Sequence, residues 1–133
     1  MAWEQELMDI SCVAAADLSA KQFYIVKIVA GGGAEDAPSV NVPSGAGDKP
    51  LGILQNKPKS GETARVRVMG VSPLSADGAL TQDATYGTSG DGQGIAKTAD
   101  ADLILGRVLR GVSNAGEMAT VTVNGLSLIQ RAS

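Results

Sequence analysis

The sequence predicts an all-β fold, and three observations carry that prediction. Seventeen glycines and five prolines are scattered over 133 residues without a fixed period, which marks many tight turns and short strands, not a collagen repeat or a disordered chain. Aromatic residues make up only 3% of a chain that is 44% hydrophobic, so small and β-branched side chains must fill the core. One alternating pattern also occurs twice: G-E-x-A-x-V-x-V-x-G-[VL]-S starts at Gly61 and again at Gly116.

Taken in chain order, residues 1–20 follow no clear period and read as an N-terminal arm, with residues 21–133 forming the β-rich domain. The arm mixes Glu4, Glu6 and Asp9 with Trp3, Leu7, Met8 and Ile10. Large apolar groups outside a strand, tryptophan above all, are typical interface anchors. Trp3, Leu7, Met8 and Ile10 are therefore the candidate interface residues, and removal of residues 1–10 is expected to leave the domain folded; the alternative is that the arm folds back on its own barrel, in which case its removal abolishes the melting transition.

The stretch KQFYIVKIVA is rich in aromatic and β-branched residues, which predicts a strand near Phe23 to Val29 that stops at Gly31, Gly32 and Gly33, read as a connector. Val40 and Val42 flank Asn41 in alternation and suit a short strand. Strands follow near Gly52 to Gln55 and Ala64 to Met69, joined by a turn carrying Pro58 and Gly61. Alternation in the second buries Ala64, Val66 and Val68 and exposes Arg65 and Arg67.

Residues 103–128 repeat this plan, with strands near Arg107 to Arg110 and Ala119 to Val123. Leu105-Gly106 matches Leu51-Gly52, with one extra residue in the second turn, a change that costs little. Val66, Val68, Val121 and Val123 are expected to face a shared core. Two copies are too few for a solenoid, so a small barrel or sandwich with internal pseudo-symmetry is the expected architecture. Between the copies, residues 78–99 read as exposed loops and short strands, with Ile95 and Ala96 a candidate for one of those strands.

Little in the chain suggests catalysis. There is no histidine, which removes the commonest general base and zinc ligand. Cys12 stands alone, so no intrachain disulfide forms, and it reads as a small packing residue. Gly31-Gly32-Gly33 precedes Glu35 and Asp36, not the Lys-Ser/Thr of a phosphate loop. Asp83, Asp91, Asp100 and Asp102 lack the order of a calcium loop. Glu62 and Glu117 each follow a turn glycine, and equivalent structural roles in two hairpins explain them better than an acid pair. No catalytic, cofactor-binding or metal-binding residue is assigned.

A net charge of -3 without a basic patch argues against nucleic acid. The acidic residues of the first ten positions interrupt any run of signal-peptide or membrane-span length, so neither a cleaved signal nor a membrane partner is expected.

The order Asp17-Leu18-Ser19-Ala20-Lys21-Gln22-Phe23, then Pro50-Leu51-Gly52-Ile53-Leu54-Gln55-Asn56-Lys57-Pro58 with Gly61-Glu62, then Leu105-Gly106 and Gly116-Glu117 resembles the capsid cement, or head decoration, proteins of tailed bacteriophages. The likeness spans roughly residues 10–124 and rests on order and spacing, since no single motif is diagnostic. It implies a small β-barrel or β-tulip-like domain, made in the host cytoplasm, that clusters as a homotrimer on the outer capsid surface of the virion at junctions of the major capsid protein. It brings no catalytic residues. Another virion or tail-associated β module, and a ligand-binding or enzymatic β domain, are the competing function classes.

Overall fold

The computed structural model describes residues 5–34, 37–99, 102–126 and 129–130, and every regular element among them is a β-strand. In chain order these are β1 (Gln5–Ala14), β2 (Ile25–Ala34), β3 (Ala37–Asn41), β4 (Gly52–Leu54), β5 (Thr63–Ser75), β6 (Thr85–Thr88), β7 (Gly94–Ala96), β8 (Leu103–Ile104), β9 (Gly106–Arg110), β10 (Met118–Asn124) and β11 (Ile129–Gln130). Nine of them form one sheet in the order β1-β3-β2-β4-β5-β10-β9-β6-β7, and β8 pairs with β11 separately. Because β1 also pairs with β5, the first five strands close on themselves. Closure removes the unpaired edges that a short open sheet would present.

Period-2 alternation builds the lumen of this first barrel. Cys12, Ala14, Val26, Val40, Leu54, Ala64, Val66 and Val68 point inward from the five strands, Leu18 enters from the loop after β1, and all are buried. Each larger side chain contributes roughly 1.5–3 kcal/mol by leaving water, and the small residues let five strands approach without an aromatic.

The same wiring is then used again. The C-terminal half of β5 opens a second set of five strands, with β6, β7, β9 and β10 standing where β2, β3, β4 and β5 stood. Five consecutive antiparallel pairs, Val13↔Thr63 to Asp9↔Arg67, recur as Ser75↔Met118 to Val71↔Thr122. The β2–β4 pairs Ile25↔Ile53 and Val26↔Gly52 recur as Thr85↔Arg107 and Tyr86↔Gly106. Where Ala14 pairs in parallel with Val40, Ala76 makes a parallel bridge to Gly94.

Even the turns repeat. Gly61 and Gly116 take φ of 83° and 84°, the left-handed value that the third position of a type II turn demands. The amide of each following glutamate returns to the residue opening the turn, Glu62 to the Lys59 carbonyl and Glu117 to the Asn114 carbonyl. Their carboxylates cap the same turns, Glu62 Oε1 accepting from Lys59 N at 2.7 Å and Glu117 Oε1 from Asn114 N at 2.7 Å. The repeated glutamates are structural, and the pair of hairpins seen in the sequence belongs to a duplication of the whole barrel.

Several sequence expectations need correction. The expected strands are all present with shifted ends, but Phe23 precedes β2 in a turn, with φ of 67°. Gly31 to Gly33 are no connector, since β2 runs through them to the pair Ala34↔Ala37. Half of the segment read as an arm, residues 5–14, is β1, a stave of the first barrel. Arg67 is 2% exposed, not solvated, because Asp9 lies opposite it on β1. The repeated valines do not share one core either. Val66 and Val68 fill the first barrel, whereas Val121 and Val123 fill a second cluster with Leu74, Leu80, Tyr86, Leu105 and Val108. The β5 strand runs through both barrels, so matching residues of the two copies look into different interiors.

Candidate functional site: an exposed apolar face

Several chemistry-bearing groups among the described residues are held in structural roles. Burial pushes the Cys12 thiol up, which keeps it protonated and a poor nucleophile inside the barrel. Tyr86 is fully buried and its hydroxyl donates to the Thr122 carbonyl at 2.6 Å. Among the described residues no group of three or more His, Cys, Asp or Glu is placed to hold a metal ion. Asp48 accepts from Lys27 Nζ at 2.9 Å and from Ser44 N at 2.9 Å, and these bonds hold its carboxyl at about 2. They fold the loop before β4, and Lys27 and Asp48, already paired with each other, line a shallow groove of about 410 Å³ with Ile28, Lys49, Pro50 and Leu51.

What the surface offers instead is apolar. Where β5 passes from one barrel to the other, β1 is irregular, with register shifts on both sides of Met8, and a bulge of this kind re-aims side chains. Leu7 is left 66% exposed and Met8 43% exposed. Leu7 forms one wall of a groove of about 380 Å³ with Met69, Gly70, Val71, Thr122, Val123 and Asn124. A neighbouring groove of about 300 Å³ shares Thr122 and Asn124 and is lined by Thr85, Ile104, Leu105, Gly106 and Arg107. Leu126, just past β10, stands 54% exposed.

Beneath this face lies a buried ion pair that fixes it. Arg67 Nε and Nη2 donate to the two oxygens of Asp9 at 2.8 and 3.2 Å, while Nη1 donates to the Val71 carbonyl at 2.9 Å. One guanidinium thus ties β1, the first half of β5 and the groove wall together, with the planar fork geometry for which arginine is suited. Arg65 Nε reaches the same carboxylate at 3.3 Å from the solvent side. At the rim, Arg107 pairs with Asp83 in the open.

The four residues singled out from the sequence do not form one patch. Leu7 and Met8 lie on the surface, Ile10 is partly buried against the core of the first barrel, and Trp3 lies outside the described residues. Met69, Val71 and Ile104 escaped the sequence reading. A signal for one of them was present: Val71 occupies the [VL] position of the repeated pattern, an apolar residue after a glycine with no partner assigned to it.

No family model matches this chain, and no curated protein matches it. Among solved structures the fold is similar to that of the head fiber gp8.5 N base of bacteriophage phi29, with a TM-score of 0.67 at 11% sequence identity over 89% of this chain and 94% of that one.

Proposed function

We propose that this protein is a non-catalytic capsid decoration protein, which binds the outer surface of a phage head at capsomer junctions and stabilises the expanded shell. The observation that carries this reading is the shared fold with a head fiber base over nearly the full length of both chains. The resemblance of its motifs to cement proteins points the same way. The partners on this reading are the major capsid protein and further copies of this chain in a homotrimer. Binding to the shell stabilises it by mass action, because a ligand of the expanded form alone lowers the free energy of that form.

The exposed apolar face supplies a docking surface of suitable chemistry, since exposed apolar surface of this kind marks interaction sites. Leu7 is its most exposed large side chain, and Trp3 lies four residues upstream of Leu7 in sequence. The test is co-sedimentation of the purified protein with empty expanded heads. Leu7→Asp is expected to keep the melting temperature within a few degrees and to lower head occupancy at least tenfold. Deletion of residues 1–4, which spares β1, examines the contribution of Trp3 separately. Equal occupancy of wild type and variants would rule out this face, and absence of binding to any head, with binding to tails, would favour the alternative of a tail-associated module.

A further inference from the structure

The two barrels are wired alike but are not equally complete. The described core of the first consists only of its own residues, from Ile10 to Val68. The core of the second also contains Ile25 and Ile53, with Phe23 packed against it. These three residues stand on the outside of the first barrel and enter the interior of the second. Their counterparts in the second barrel, Asp83, Thr85 and Arg107, are polar and lie at the surface or partly buried.

Backbone pairing shows the same asymmetry. The first barrel closes through two parallel pairs, Val13↔Ser39 and Ala14↔Val40. The second has the single bridge Ala76↔Gly94 at the equivalent place. Its next step is filled by a strap from the first barrel: Ser75 N donates to the Phe23 carbonyl at 3.0 Å, and Ile25 N donates to the Gly92 carbonyl at 2.7 Å. Phe23-Tyr24-Ile25 is thus wedged between β5 and the loop before β7. A side chain on Gly92 would place its Cβ 2.7 Å from the Ile25 carbonyl, so the fit leaves no room for one.

We infer that this strap is a one-way latch: the second barrel opens as a separate step that leaves the first intact, whereas loosening the first barrel releases both. Local opening in contiguous cooperative units is general in proteins. Here the order is set by which core borrows residues from the other. Opening uncovers Ile25 and Ile53, which are fully buried in the closed molecule, beside the partly exposed Phe23. The inference concerns the isolated chain and does not depend on the capsid reading.

Native-state hydrogen exchange on the full chain, resolved by residue, is the test. Ile53→Ala should speed exchange at Tyr86, Val108 and Val121 at least tenfold and leave Val26 and Leu54 within twofold. Leu74→Ala, inside the second barrel, should give the same selective pattern. Val66→Ala, inside the first, should speed exchange in both barrels together. Overturning results are a uniform rise after Ile53→Ala, no change after it, or a rise confined to the first barrel after Val66→Ala.

Discussion

Asp9 and Arg67 show how much a single partner decides. Both side chains are about 5% exposed or less, and removing one of a buried pair leaves an uncompensated charge that costs on the order of 3–5 kcal/mol. Arg67→Met should therefore lower stability by about 3 kcal/mol in urea melts, while the double variant Asp9→Leu with Arg67→Met should recover most of it. A double variant as unstable as the sum of its parts would show that the two residues act independently. Sequence alternation puts Arg67 on the outer side of its strand, and it does face outward from the lumen. What alternation does not contain is the partner across the sheet, Asp9 on β1, whose carboxylate holds the guanidinium in place. Asp48 gives a pH signature. Its carboxyl titrates at about 2 in the fold against about 3.9 in an unfolded chain, so its contribution is complete above pH 4 and is lost as pH falls through 2. The melting-temperature gap between wild type and Asp48→Asn should accordingly shrink between pH 4 and pH 2, and a gap that stayed constant would contradict this role.

At the scale of the element, the hairpin turns were the most legible feature. A glycine followed by glutamate before alternating valines carries both the left-handed backbone and its cap, so two turns 55 residues apart could be matched by eye. Gly61→Ala and Gly116→Ala should each cost about 1 kcal/mol, because an added Cβ meets nothing within 4 Å at either site and only the φ of 83–84° resists it. Gly125→Ala belongs to a different class. Its Cβ would fall 1.6 Å from the Leu51 carbonyl, where the end of β10 meets the start of β4, and backbone must move to admit it. Denaturant melts of the three variants should show two equal small losses and one loss several times larger. Strand ends were harder to read. Thirteen residues of β5 exceed the usual length, and Gly70, with φ of 135°, looks in sequence like a stop although the strand continues through it. The register of β1 was invisible because its inward residues, Ile10, Cys12 and Ala14, differ in size and are interleaved with Asp9 and Ser11.

For the whole molecule, the all-β class followed from composition, whereas the duplication of the barrel was visible only in its last two strands. The earlier strands have diverged according to what covers them: Phe23, Ile25 and Ile53 meet the second barrel, and Asp83, Thr85 and Arg107 at the same backbone positions meet water. Identity between the copies is thus erased where burial differs and kept where turns are equal. The candidate face was half legible, since Leu7 and Met8 stood out as large apolar residues but the groove walls come from segments more than 60 residues away. Removal of residues 1–10 takes Gln5 to Ile10 out of β1 and with them most of its pairing to β5. Such a truncation should abolish the cooperative melting transition, and a normal transition would mean that four strands suffice for the first barrel. The continuity of β5 has one more consequence. Domains are commonly joined by linkers that allow relative motion, but here the joint is itself a hydrogen-bonded strand, so as long as both barrels are closed they are held at one separation. On the capsid reading proposed above, such a body would act as a gauge: it would span attachment points at one separation, and a lattice whose spacing had changed could engage only one of its ends.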